Sequence, residues 1–295
     1  MNLRKFLLIL TIALVMILAI TVWFSPSNED FRTENPSWNG VKDISAICPT
    51  SPVKSLDDLP PSPQGTTLIL IPYLNFTLDE LEALNNFVTL GGTLILADDY
   101  GHGNQILAYL GLKARFSGQP LLDPSSNYRN QWFPRIPHLK PSPLTSNIER
   151  LVFNHATCLT GVETGDVVAL SSSFSFLDLN GNQLWDETEP AGPLPVISQH
   201  NLGDGQVVLI TDPSLFINSM QTMESNEDLL ENIATLTPSE LLIDQSHLPP
   251  SNLHQTKGLL ASIRDSLSTP AGTLLLVILA LTVTLMPLWH ERRRN

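Results

Sequence analysis

Two groups of oxygen-bearing side chains have types and spacings that can do chemistry. The first is DLNGNQLWDETE, where Asp178, Asn180, Asn182, Asp186 and Glu189 occupy places 1, 3, 5, 9 and 12. A calcium loop of the EF-hand type takes side-chain oxygens at those places and a backbone carbonyl at place 7, here Leu184. Carboxylates so spaced repel one another unless a cation sits between them. The stretch is therefore expected to hold Ca2+ in a structural role, through Asp178, Asn180, Asn182, Leu184, Asp186 and Glu189. Place 6, where glycine allows a sharp turn, is Gln183, and neither flank (FSFLD, PAGP) reads as a helix. The alternative is a polar loop that turns at Asn180-Gly181.

The second group is Asp98, Asp99, Tyr100 and His102, directly after the apolar run TLILA. Ligands of open α/β sheets bind at the carboxyl ends of strands, and Asp with His can do acid–base work there. The competing reading is that an Asp after a strand caps the next helix. No G-x-C-x-G or G-x-S-x-G follows a strand, and Asp212-Pro213-Ser214 reads as a helix cap. The seven His show no H-x-x-x-H or H-E-x-x-H, so zinc is not indicated. Asn75-Phe76-Thr77 matches a glycosylation sequon, but its Thr is needed as a helix cap.

The elements that must carry these residues read as follows. Ile44 to Cys48 is a short apolar segment, a candidate first strand, and the Pro-rich stretch after it is loop with one helical turn at Leu56 to Leu59. Thr66 to Tyr73 is a strand buried on both faces. Thr77 and Glu80 form a capping box, with Phe76 and Leu81 as its hydrophobic staple. Leu78, Leu81, Leu84, Phe87 and Val88 share one helical face, and Gly91-Gly92 ends the helix. Thr93 to Asp99 is a second strand, and Asn104 to Leu110 a short helix ending at Gly111. This β-α-β-α order predicts a parallel sheet with helices on its faces. Lys113 to Asn147 is a Pro-rich insertion whose Tyr128, Arg129, Trp132, Phe133 and Arg135 suit either a lid or docking surface, or a loop packed by its own aromatics. Strands resume at Leu151 to Asn154, Val167 to Asp178, Pro193 to Leu202 and Gly205 to Asp212, the last two as a hairpin turning at GDG. Pro213 to Met220 and Asn226 to Thr235 read as helices, and the Pro-containing segment after them as a connector.

Both ends are apolar. Phe6 to Phe24 and Ala271 to Trp289 are uncharged runs of about the ~20 residues a membrane-spanning helix needs. The first is longer than a signal peptide's apolar core and lacks an A-x-A site, so it reads as an uncleaved anchor. Arg4-Lys5 and Arg292-Arg293-Arg294 flank the runs, which puts both termini in the cytoplasm and the main domain outside it. Pro287 sits near the end of the second run, and Trp23 and Trp289 suit the membrane interfaces. The expected organisation is a cytoplasmic segment 1–5, a transmembrane helix 6–24, a linker 25–40, an extracytoplasmic α/β domain 41–236 with the insertion 113–147, a connector 237–269, a transmembrane helix 270–289 and a cytoplasmic tail 290–295. Cys48 and Cys158, the only cysteines, are either a disulfide of an exported domain or two buried thiols. The net charge of −13 argues against a nucleic-acid partner.

The run TTLILIPYLNFTLDELEALNNFVTLGGTLILADDYGHGNQILAYLGL resembles a strand–helix–strand module of the membrane-anchored family called domain of unknown function 4350. WNGV, NYRNQWFPRI and DGQVVLITDPSLFIN agree in order. The resemblance implies a mostly parallel α/β fold similar to class I glutamine amidotransferases, but supplies no activity. Those enzymes use a Cys on a sharp turn after a strand, which neither Cys48 nor Cys158 occupies. The expected function is a non-catalytic binding or scaffolding domain of a membrane assembly. Its expected partners are the lipid bilayer, other membrane proteins and a MoxR-type ATPase system. The alternatives are a hydrolase or transferase working at Asp98, Asp99 and His102, and a calcium-dependent sensor.

Overall fold

The computed structural model describes residues 3–292, in two compact units. One spans Asn28–Pro249; the other joins Met1–Ser27 to Pro250–Asn295.

The larger unit is built on an eight-stranded sheet. Its strands are β1 (Thr50–Val53), β2 (Thr66–Leu70), β3 (Thr93–Ala97), β4 (His138–Leu139), β5 (Val167–Leu170), β6 (Pro195–Leu202), β7 (Gly205–Ile210) and β8 (Glu240–Asp244). They lie in the order β1-β8-β2-β3-β7-β6-β5-β4. The first five in that order are parallel, and β6, β5 and β4 continue antiparallel. The sheet is thus mixed: a parallel α/β half carries an antiparallel extension. The β6–β7 hairpin pairs Leu202 with Gly205 as the GDG signal predicts.

Every residue of β2 is buried, because alternate side chains feed two cores. On one face Leu68, Leu70, Leu94, Leu96, Val207 and Leu209 pack with the helix Leu78–Thr89. On the other, Ile69, Ile95, Val208, Ile210 and Ile243 pack with the helix Asn226–Thr235. The first helix starts at the expected capping box: Thr77 Oγ1 accepts from the Glu80 N–H, and the Thr77 N–H donates to Glu80 Oε2 at 2.8 Å. Leu81, Leu84, Phe87 and Val88 face the core, but Leu78, expected with them, points to water at 74% exposure. At the far end of this helix the backbone of β7 passes so close that a Cβ on Gly205 would lie 2.2 Å from the Gly92 and Val88 carbonyl oxygens.

Several elements differ from expectation. Ile44–Ile47 is one helical turn, and the first strand, β1, comes from the Pro-containing stretch after it. Val167 to Asp178 breaks into β5 and Phe176–Leu177. The serines between them turn inward: Ser171 and Ser175 share a hydrogen bond at 2.6 Å, and Ser175 donates to the Ser172 carbonyl. Pro213–Phe216 is a 3-10 turn followed by a short helix, Asn218–Gln221. The insertion is woven into the fold. Its Arg115–Phe116, Leu121–Leu122 and Arg135–Ile136 pair with Leu159–Thr160, Phe176–Leu177 and Leu151–Val152, and β4 forms the sheet edge. The segment read as a connector supplies β8, seated between β1 and β2. The segment read as a linker is anchored by Arg32, which donates to the Gln245 carbonyl at 2.8 Å and pairs with Glu29.

In the smaller unit, Leu3–Phe24, Asn252–Ser268 and Pro270–Arg292 are helical. Lys257 Nζ donates to the Ser25 carbonyl, and the Arg264 guanidinium lies 5.3 Å from the Trp23 ring centroid. The expectation of a transmembrane helix at each end is overturned. Among the described residues no single helix is long and apolar enough to cross a membrane. Among the described residues the apolar stretch of the first helix is Ile9–Phe24, and Asn252–Ser268 meets Pro270–Thr282 at a bend of 84°. The side chains of Arg4, Lys5, Pro287, Trp289 and Arg292, and the residues Arg293 and Arg294, lie outside the described residues.

Candidate functional site at the strand ends

The carboxyl ends of the parallel strands bring Asp98 and Asp99 (β3), Asp212 (β7), Asp244 (β8) and Tyr73 (after β2) to one edge of the sheet. Asp98 is buried and clamps the loop that follows it. Its Oδ1 accepts from the N–H groups of Tyr100 at 2.9 Å and Gly101 at 3.1 Å, and its Oδ2 from Gly103 at 2.6 Å. Burial raises its carboxyl above the usual range against the pull of those donors. Asp99 is half-buried, and burial together with the neighbouring Asp98 charge pushes it up to about 7. Among the described residues no other side chain hydrogen-bonds to Asp99. Tyr73 is held far above the ordinary phenol range by burial and then by Asp99. Its ring centroid lies 5.8 Å from Phe31 and 6.3 Å from His102, which in turn stands 6.4 Å edge-on from Tyr100. The structure thus keeps Asp98, Asp99 and His102 at one strand end and adds Tyr73, which sequence reasoning misses.

Asp212 is fully buried and caps the 3-10 turn at Pro213. It accepts from Ser214 N–H at 2.8 Å and, across the chain, from Asn154 N–H at 2.6 Å. Burial lifts its carboxyl well above the usual range. No histidine among the described residues hydrogen-bonds to Ser214, so the residues of an imagined Ser-His-Asp set do not assemble. His155 stacks on Trp132 instead, centroids 4.6 Å apart, and its backbone takes φ 57° while donating to the Trp132 carbonyl. The insertion's aromatics therefore pack on the domain here.

A further histidine cluster was not legible in the sequence. His247 is buried between two carboxylates, with Nδ1 3.1 Å from Asp244 Oδ2 and Nε2 3.5 Å from Glu80 Oε1. Its ring stacks on Phe76 at 3.9 Å. Glu80 is raised by burial, but the Thr77 hydrogen bonds and His247 outweigh that and leave it lowered. The cluster fastens the loop after β8 to the capping box. Recognising ELLID as a strand with an Asp at its carboxyl end would have found it.

The DLNGNQLWDETE loop closes on itself. Asp178 accepts from Gly181 N–H at 2.8 Å and Gln183 N–H at 3.0 Å; Glu189 accepts from Leu179 N–H at 2.8 Å and Asp186 N–H at 3.1 Å. The side-chain oxygens of Asn180 and Asn182 accept from Asn182 N–H and Leu184 N–H. Their amide nitrogens, not their oxygens, face Asp186 Oδ2 at 2.6 and 3.0 Å. Gln183 takes φ 62° at the place where glycine was expected, and the two Asp178 bonds hold it there. Among the described residues no group of three or more His, Cys, Asp or Glu is placed to hold a metal. In this arrangement the side-chain oxygens of Asp178, Asn180, Asn182 and Glu189 accept from the loop's own backbone N–H groups.

Cys48 and Cys158 are both free. Burial raises the Cys48 thiol and pushes Cys158 up to about 12, so neither is a ready thiolate.

No curated protein matches the chain. Among solved structures it is similar to the mmIFT52 N-terminal domain, at 14% identity and a TM-score of 0.45, over 59% of this chain and 77% of that one. A cytoplasmic protein from Salmonella typhimurium LT2 matches at 12% identity and a TM-score of 0.39, over 68% and 80%. A β-galactosidase from Bacillus circulans sp. alkalophilus matches at 12% identity and a TM-score of 0.34, over 55% of this chain and only 22% of that enzyme's length. Likeness at this level carries no function across. The model of the family described as Domain of unknown function (DUF4350) matches residues 33–234, and the chain belongs to that family.

Proposed function

We propose that the domain Asn28–Pro249 is a non-catalytic binding or scaffolding module. The observation that carries this reading is how the strand-end carboxylates are used. Asp98, Asp212 and Asp244 each accept from backbone N–H groups, those of Asp98 and Asp244 within their own loops; the one hydroxyl close to Asp244, Ser246 Oγ, donates to its Oδ1 at 2.6 Å and lies 3.1 Å from His247 Nδ1. Spent in this way they stiffen loops. A glutamine amidotransferase-like reaction is disfavoured by the raised thiols of both cysteines. The family resemblance makes a MoxR-type ATPase system one partner to look for.

A second reading rests on Asp99 alone. A half-buried carboxyl lifted to about 7, with no side-chain partner among the described residues, is suited to proton transfer near neutrality. It would make the site a hydrolase or transferase centred on Asp99 and His102. A panel of ester, phosphate, glycoside and amide substrates, run on the full chain and on Asp99→Asn, separates the two. The binding reading expects no turnover from either protein. Turnover by the wild type that Asp99→Asn abolishes would replace it with the enzyme reading.

A further inference from the structure

The loop that closes on itself also lifts large apolar side chains into water. Leu184 is 69% exposed, Trp185 53% and Leu179 50%, and Phe174, just before the loop, is 65% exposed. A single exposed apolar residue needs no explanation. Here four occur within twelve residues, on a backbone held by bonds from Asp178, Asn180, Asn182 and Glu189, two of which are buried. A segment ordered in advance loses little conformational freedom on binding. Tryptophan is also among the side chains that most often anchor an interface.

The charged residues next to this apolar tip in the chain are acidic. Asp186 and Glu187 follow Trp185 directly, and the chain carries no Lys or Arg between Arg150 and Lys257. We propose that the Leu179–Glu187 loop is a docking surface for a basic, amphipathic segment of a partner protein. Leu184 and Trp185 enter its apolar side, and Asp186 and Glu187 meet its Lys or Arg. The proposal rests on the reading of the domain as a binding module. The acidic rim repels anionic lipid, nucleic acid and a second copy of this chain, whose net charge is −13.

The test uses the full chain and a fluorescent synthetic peptide of Leu and Lys patterned as an amphipathic helix, read by anisotropy at low and high ionic strength. The wild type is expected to bind it, more weakly as salt rises. Trp185→Ser, an exposed change checked for folding by circular dichroism, is expected to weaken binding about tenfold or more. Glu187→Gln should weaken it at low salt and match the wild type at high salt. The same peptide with Glu for Lys should not bind. Failure of the wild type to bind the basic peptide, equal binding of the acidic one, or unchanged affinity in Trp185→Ser would each overturn the proposal. Trp185-dependent binding to anionic phospholipid vesicles, or Trp185-dependent self-association, would also overturn it, by naming another occupant. Asp99→Asn should leave peptide affinity unaltered. Turnover at the strand ends would therefore sink the binding-module reading without changing the peptide result, and loss of the peptide result would leave the substrate panel as it stands.

Discussion

Replacing Asp99 by Asn isolates what ionisation costs at the strand ends. Its carboxyl rises from an ordinary value of 3.8 to about 7, through burial and the adjacent Asp98. The unfolded chain therefore gives up this proton at lower pH than the folded protein does. Stability falls as pH climbs from about 4 to about 7, and the loss is complete above that. A shift of about 3 units corresponds to about 4 kcal/mol. Asp99 is half-buried, so water screens part of this, and about 2 kcal/mol is the working figure. The same charge also helps to raise Asp212 and Tyr73, so its removal relieves them too. Asp99→Asn should match the wild type near pH 4 and exceed it by about 2 kcal/mol above pH 7. Urea denaturation of the full chain, followed by circular dichroism at both pH values, reads this directly. A gain equally large at pH 4, or a loss of stability above pH 7, would refute the reasoning. The first would mean that shape, not charge, is at issue. The second would mean that the ionised carboxylate has a partner.

Other expectations follow from packing and from the closed loop. Thr77→Ala removes the acceptor for the Glu80 N–H and should cost about 1 kcal/mol, while Thr77→Ser keeps most of it, in the same denaturation assay. Leu84→Ala empties a fully buried site on the core-facing side of its helix and should cost about 3 kcal/mol. Gly205→Ala places a methyl against two backbone carbonyls that have no room to move, so soluble folded protein should drop sharply relative to Gln206→Ala. Calcium on the order of 10⁻³ M should leave the melting temperature unchanged. A rise that Asp178→Ala removes would show that the Asn180 and Asn182 amides turn over to bind the ion.

Much of the parallel half could be read from local signals. TTLIL and TLILA are continuous apolar runs, which only a strand buried on two faces tolerates, and the Thr77 capping box fixes the start of the helix between them. β8 was missed because its five residues sit between Pro-rich stretches and its partners, β1 and β2, are far away in sequence. Pairing over such distances leaves no periodic trace. The same holds for the insertion, whose two-residue ladders with Leu151–Val152 and Leu159–Thr160 are set by tertiary contact. The apolar ends show the opposite error. Their composition fits a membrane span, but among the described residues no single helix is long and apolar enough to cross one. At the candidate site, Asp98, Asp99 and His102 were legible because a strand end is a sequence feature. Tyr73 and His247 were not, because their neighbours come from other loops. Side-chain oxygens could be counted in DLNGNQLWDETE, but their direction could not. Backbone donors within the loop take them up, and that depends on its folded path.

Whether this domain works by binding, as proposed, is read by quantitative co-purification of the full chain from its own cells, comparing wild type, Asp99→Asn and Trp185→Ser at equal expression. Asp99→Asn should keep its partners at wild-type stoichiometry, and Trp185→Ser should lose them. Partners that survive Trp185→Ser but are lost with Asp99→Asn, or a wild-type chain that brings no partner at all, would contradict it.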